Sequence, residues 1–277
     1  MSGNGNASRP RKPTPTGASL PRELAPGVFW VADCLEILFE ERVVHAYHSA
    51  YLVAGEHTSL LVDTGHLKDW PEIERQLDVL TAGGAPEVRY IFPTHAEMPH
   101  SASLGRLLKK YPNAVVVGDI RDYHLIFPEY VDRFVAMGVG EEIDLGGTRF
   151  RLLDAIVRDL VSSIWGYDTR SRTLFPGDGF AYMHHHAAGE CGKLAEQIPD
   201  LEVAEFTAAF AENALYWSRF TDLEPHIRRL EELLDGEYPV DVIAPGHGCP
   251  ILDPAQTVPK VKQGLRLAAA SGLQGGY

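Results

Sequence analysis

The apolar run Val88-Arg89-Tyr90-Ile91-Phe92 leads at once into Pro93-Thr94-His95-Ala96-Glu97-Met98-Pro99-His100. A buried strand that stops in a loop with two imidazoles and a carboxylate inside six residues constrains the fold strongly. The loop must sit at a sheet end, where its side chains can be aimed at one point. Imidazole with carboxylate is the donor set of a divalent transition metal. Two further segments have the same form. Leu174-Phe175-Pro176-Gly177-Asp178 is an apolar strand ending in a Gly-Asp turn, and Val240-Asp241-Val242-Ile243-Ala244-Pro245-Gly246-His247-Gly248 ends in a Gly-flanked histidine. Taken singly, the first motif also fits a polar loop, and Asp178 also fits a turn cap. Three strand ends bearing metal donors favour a metal centre.

The rest of the chain alternates strand and helix patterns, which predicts a single α/β domain with sheet layers covered by helices. Val28–Val31 and Ile37–Phe39 read as two early strands. Ser49–Ala54 and Ser59–Val62 read as a hairpin, with His45 and His48 just before it. Trp70 to Leu80 has Ile73, Leu77 and Leu80 on one helical face. A helix over 104–111, a strand over 114–118, a Gly146-Gly147 hairpin and a helical stretch over 200–235 follow. Residues 1–20 read as a disordered tail, 21–262 as the folded domain and 263–277 as a loose C-terminal tail.

These pieces resemble the metallo-β-lactamase superfamily over roughly residues 25–255. Val62-Asp63-Thr64-Gly65 is similar to its early Asp-Thr-Gly turn. Glu97, in place of the commoner second histidine, resembles the di-iron branch of flavodiiron and oxygen-binding di-iron proteins, whose motif is His-x-Glu-x-Asp-His. The resemblance implies a four-layer αββα sandwich and a binuclear site. His95, Glu97 and Asp159 would hold one metal, His100 and His247 the other, and Asp178 would bridge them. Two departures stand out. Pro99 replaces the branch's Asp. Asp159, nineteen residues before Asp178, stands where the branch has a histidine.

The carboxylate-rich set is compatible with two divalent ions, iron or zinc, with manganese also tolerated. The chain as read has no segment for an FMN domain, so no FMN is expected. Net charge is −13, which argues against nucleic acid or an anionic membrane as a partner. Cys34, Cys191 and Cys249 have no metal-type spacing, which predicts a reducing cytoplasm and no thiolate metal site. Homo-oligomers, or hetero-oligomers with a related subunit, are the expected assemblies.

For chemistry, the first expectation is a hydrolase in which metal-activated water attacks a small aromatic or apolar ester, lactone or activated ether. Asp178 and His100 would be catalytic, and His184, His185, Tyr182 and Trp165 would line the substrate pocket. The alternatives are a di-iron oxidoreductase or oxygen- or NO-binding protein, and a non-catalytic partner subunit.

Overall fold

Strand residues point alternately to opposite faces, and the first long hairpin uses both. The structure, a computed structural model, describes residues 20–39, 41–187 and 189–274; of residues 237 and 272–274 only the backbone is described. The strands β1 (Arg22–Ala25), β2 (Val28–Phe39) and β3 (Arg42–Ala54) open the chain. Trp30, Ala32, Tyr51 and Val53 turn into one core, and Val31, Ala50 and Leu52 into another. A strand buried on both faces must lie between two layers.

The chain continues through β4 (Ser59–Val62), α1 (Trp70–Ala82), β5 (Val88–Phe92), α2 (Met98–Ser101), α3 (Leu104–Lys110), β6 (Val115–Gly118), α4 (Tyr123–Ile126) and β7 (Phe134–Ala136). The strands form one seven-stranded sheet in chain order. It is antiparallel from β1 to β4 and parallel from β4 to β7. Helices α1 and α3 cover its outer face, where Ile73, Leu77, Leu104 and Leu107 meet Leu61 and Ile91.

The second half comprises β8 (Glu142–Asp144), β9 (Arg149–Asp154), β10 (Ile164–Asp168), β11 (Thr173–Phe175), α5 (Val203–Ala214), α6 (Glu224–Glu232), β12 (Val242–Ile243) and α7 (Pro254–Gln274). Its sheet has the order β12-β11-β10-β9-β8. Only β11 and β12 are parallel. The two sheets meet through aromatic rings: Tyr51 lies 5.6 Å from Phe175 and Phe92 lies 5.3 Å from Phe150. Phe206, Ile227, Val261 and Leu265 of the last three helices join this second core. The result is the expected four-layer αββα sandwich.

Three readings change. The two early strands are one, because backbone pairing runs unbroken from Val28↔Val53 to Phe39↔Arg42 through the polar Asp33 and Glu36. His45 and His48 therefore lie within β3, not ahead of a hairpin. Residues 263–274 are the second half of α7, with Leu265 and Ala268 buried, so the expected C-terminal tail is helix as far as Gln274. Residues 1–19 of the expected N-terminal tail lie outside the described residues. Among the described residues no helix is long and apolar enough to cross a membrane.

Candidate metal centre

Most of the candidate donors follow a strand and lie before the next element begins. His95 and Glu97 follow β5, and His100 is on α2. Pro99 occupies the first turn of that short helix, a position whose N–H has no helical acceptor, so proline fits without loss. Asp178 lies in the buried 3-10 turn Gly177–Phe180 after β11. His247 follows β12, the parallel neighbour of β11. Asp159 comes from the loop between β9 and β10.

The six side chains converge. His100 Nε2 is 3.2 Å and His247 Nε2 is 3.6 Å from Asp178 Oδ1. His95 Nε2 is 3.5 Å from Glu97 Oε2 and 3.4 Å from Asp159 Oδ2. One donor atom from each of His95, Glu97, His100 and Asp178 lies within 4.8 Å of the other three. Buried polar atoms normally find hydrogen-bond partners. Here the buried atoms His95 Nε2, His100 Nε2 and Asp178 Oδ1 have none. Close but unaligned donors of this kind fit a cation, which satisfies them together; the residues present suit a metal.

The far side of each ring explains its aim. His100 Nδ1 is 2.9 Å from Asp63 Oδ2, and His247 Nδ1 is 2.7 Å from the carbonyl of Tyr47. His95 Nδ1 lies 3.2 Å from Thr94 Oγ1. An imidazole that donates its outer N–H to a carboxylate or carbonyl presents the other nitrogen as a lone pair. Asp63 also accepts from the Thr94 amide and hydroxyl, at 2.7 and 2.9 Å, and its backbone φ of 56° is in the left-handed region. A non-glycine residue held there is strained and is kept by its surroundings. The sequence showed Asp63 as a family marker but not as the group that orients His100.

Gly246 is fixed by close approach. A Cβ there would meet His100 Cε1 at 2.5 Å and Asp178 Oδ1 at 3.0 Å. The electrostatics follow from burial and pairing. Burial would raise the Asp178 carboxyl, but the imidazoles of His247 and His100 outweigh it and hold the group well below the usual range. Burial pushes His247 down to about 4. Burial would likewise lower His100, but Asp63 and Asp178 drive it well above its ordinary value. Glu97 is held down by His95.

Other expected site residues lie elsewhere. Tyr182 is fully buried with its hydroxyl donating to the carbonyl of Cys249 at 2.8 Å, and Trp165 packs on Phe180 in the core. Both rings are buried in the apolar core, and neither is among the donors gathered around Asp178. His185 is exposed beside the carbonyl of Val43, and His184 is buried against Tyr47. Neither is among the donors gathered around Asp178. Instead His48, in β3, edges His247 at 5.5 Å, with its Nδ1 2.8 Å from Asp69 Oδ2. A surface cleft of about 640 Å³ includes Asp159, Leu160, Trp217 and His226 in its wall. Away from these donors, Cys34 Sγ lies 3.2 Å from His45 Nδ1, a contact that the cysteine spacing in the sequence did not suggest. Strand pairing brings together residues that sequence spacing keeps apart.

With this geometry established, the profile of the metallo-beta-lactamase superfamily matches residues 45–247. The chain belongs to the metallo-beta-lactamase superfamily. Among curated members, it is 24% identical over 256 residues to the coenzyme F420H(2) oxidase of Methanocaldococcus jannaschii, covering 85% of this chain and 58% of that protein. It is 26% identical over 209 residues to the anaerobic nitric oxide reductase flavorubredoxin of Vibrio vulnificus, covering 73% of this chain and 39% of that protein. The chain thus spans less than two thirds of these relatives. The flavodiiron protein of Giardia intestinalis superposes with a TM-score of 0.71 at 18% identity, covering 94% of this chain and 60% of that one, which shows a shared fold. These superfamily relatives are oxidases and reductases, which overturns the expected hydrolysis. A ligand set that suits water activation suits electron transfer equally, and the motif alone did not separate the two.

Proposed function

We propose that this domain is the di-iron core of an oxidoreductase that reduces a diatomic oxidant, dioxygen or nitric oxide. The reading is carried by the three buried, unpartnered donor atoms of His95, His100 and Asp178, gathered with Glu97. The oxidase and reductase relatives support it. In this reading His95, Glu97 and Asp159 would hold one iron, His100 and His247 the second, and Asp178 would be shared by both. When bound, iron supplies reversible one-electron chemistry and open coordination positions.

The chain's own residues set the surroundings. Asp63 and the Tyr47 carbonyl fix two imidazoles. The His48–Asp69 pair, with Lys68 on the other carboxylate oxygen, can hold a proton beside His247. Pro99 brings no donor where the di-iron branch has Asp, so a metal held by His100 and His247 would have one protein ligand fewer and could take a small ligand. Reduction consumes electrons and protons, so a reduced flavin on a partner protein or a further domain supplies the electrons, and association with a related flavin-bearing subunit is part of the proposal.

The test is oxidant consumption by iron-loaded protein with reduced flavin as donor, measured separately for dioxygen and nitric oxide. Iron-dependent consumption of at least one, lost in His247→Ala, is expected. Iron-loaded protein that consumes neither overturns the reading.

A further inference from the structure

Away from Asp178, β2 and β3 carry a second group of donors. In their register Glu36 pairs with His45 and Cys34 with Tyr47, so Cys34 and His45 are diagonal neighbours on one face. The chain returns to that face after the Asp178 turn. His184 docks on His45 through two backbone hydrogen bonds of 2.7 and 2.9 Å. This lays the His186 ring on the His45 ring, centroids 3.8 Å apart and stacked. Cys34 Sγ is then 3.2 Å from His45 Nδ1 and 3.7 Å from His186 Nε2. Cys191 Sγ is 3.6 Å from that same His186 nitrogen. One donor atom each from Cys34, His45 and His186 lies within 4.8 Å of the other two, and both cysteines are free thiols.

Two more observations point to a ligand. His186 Nδ1 is 2.8 Å from the carbonyl of Ala187, so the proton belongs on Nδ1 and the lone pair on Nε2 faces the thiols. This is the orientation of a metal-ligating histidine. Beside it, His184 is wholly buried with neither ring nitrogen hydrogen-bonded, its centroid 5.2 Å from that of His186.

We propose that Cys34, His45, His186 and Cys191 form a structural zinc site, separate from the Asp178 centre. Two thiolates and two imidazoles are a closed tetrahedral set, and soft sulfur donors select zinc over the oxygen-rich preferences of the first site. Binding forms bonds from zinc to both sulfurs and both imidazole nitrogens and releases the thiol protons of Cys34 and Cys191 to solvent; no oxidant or reductant is needed. The site ties the segment that runs on from Asp178 to the β2–β3 hairpin, and so steadies the Asp178 turn from behind.

The test is zinc-edge X-ray absorption on the whole protein loaded with zinc alone, together with zinc content by elemental analysis. The expected spectrum contains sulfur neighbours at about 2.3 Å and nitrogen neighbours at about 2.0–2.1 Å. The Asp178→Asn variant should keep that sulfur signal, which separates this site from the di-iron reading. The Cys34→Ser/Cys191→Ser variant should lose it, along with about one zinc per chain. A wild-type spectrum without sulfur neighbours, a Cys34–Cys191 disulfide in the zinc-loaded protein, or unchanged zinc in the double variant would each overturn the proposal. If the double variant fails to fold, the wild-type spectrum alone decides.

Discussion

Asp178 faces two imidazoles with a single buried oxygen, 3.2 Å from His100 Nε2 and 3.6 Å from His247 Nε2. The Asp178→Asn substitution keeps the shape but removes the charge. It should strip metal and abolish turnover while leaving the far-UV circular dichroism unchanged; full metal content in the folded variant would contradict its role. Asp63 acts one layer out. Removing an orienting partner of this kind costs about 10–100-fold in metal affinity, so Asp63→Ala should weaken binding by that factor in a competition titration, and equal affinity would show that His100 needs no support. Pro99→Asp should tighten the metal held by His100 and His247, because it restores a carboxylate in the first turn of α2. A titration without gain would mean that this turn does not face the metal. The candidate donors could be named from the sequence because most of them follow strands, where an apolar run stops against a polar motif. The orienting role of Asp63 could not, because its partner His100 is 37 positions away. The cluster of Cys34 and His186 spans 152 positions, which no local pattern encodes.

At the scale of elements, the strands and helices were legible wherever apolar periodicity was strong, as in α1 and β5. They were misread where side chains work against backbone pairing. Asp33 and Glu36 broke the apparent pattern of β2, yet its ladder continues. Gly264 falls within the expected C-terminal tail of residues 263–277. It is instead the crossing point of α5 and α7, where a Cβ would meet the Ala204 carbonyl at 2.4 Å and Thr207 Cβ at 2.6 Å. Only glycine lets the two backbones approach so closely. Truncation after residue 262 removes the buried Leu265 and Ala268. Loss of one buried leucine side chain alone costs about 2–5 kcal/mol, so the urea midpoint should fall clearly. An unchanged midpoint would make the second half of α7 dispensable.

For the whole molecule, the αββα sandwich brings loops from both halves to a common edge. In the first half, the loop after β5 supplies His95 and Glu97 and α2 supplies His100; the second half supplies Asp159, Asp178 and His247. Architecture and donor set were therefore readable together, since a fold that gathers strand ends also gathers their motifs. Chemistry was not: water activation and electron transfer use similar ligands, and only comparison with oxidase and reductase relatives tipped the choice. If electrons come from a separate donor protein, as proposed, the chain's acidic balance, −13, would favour one that presents a basic face, and rising salt should then slow electron delivery. The most direct test of the redox reading is a single-turnover experiment. Iron-loaded protein is reduced under argon, then mixed in a stopped-flow cell with dioxygen or with nitric oxide while the visible spectrum is followed. The account predicts a rapid spectral change with at least one oxidant, absent in Asp178→Asn. Reduced, iron-replete wild-type protein that gives no change with either would contradict it.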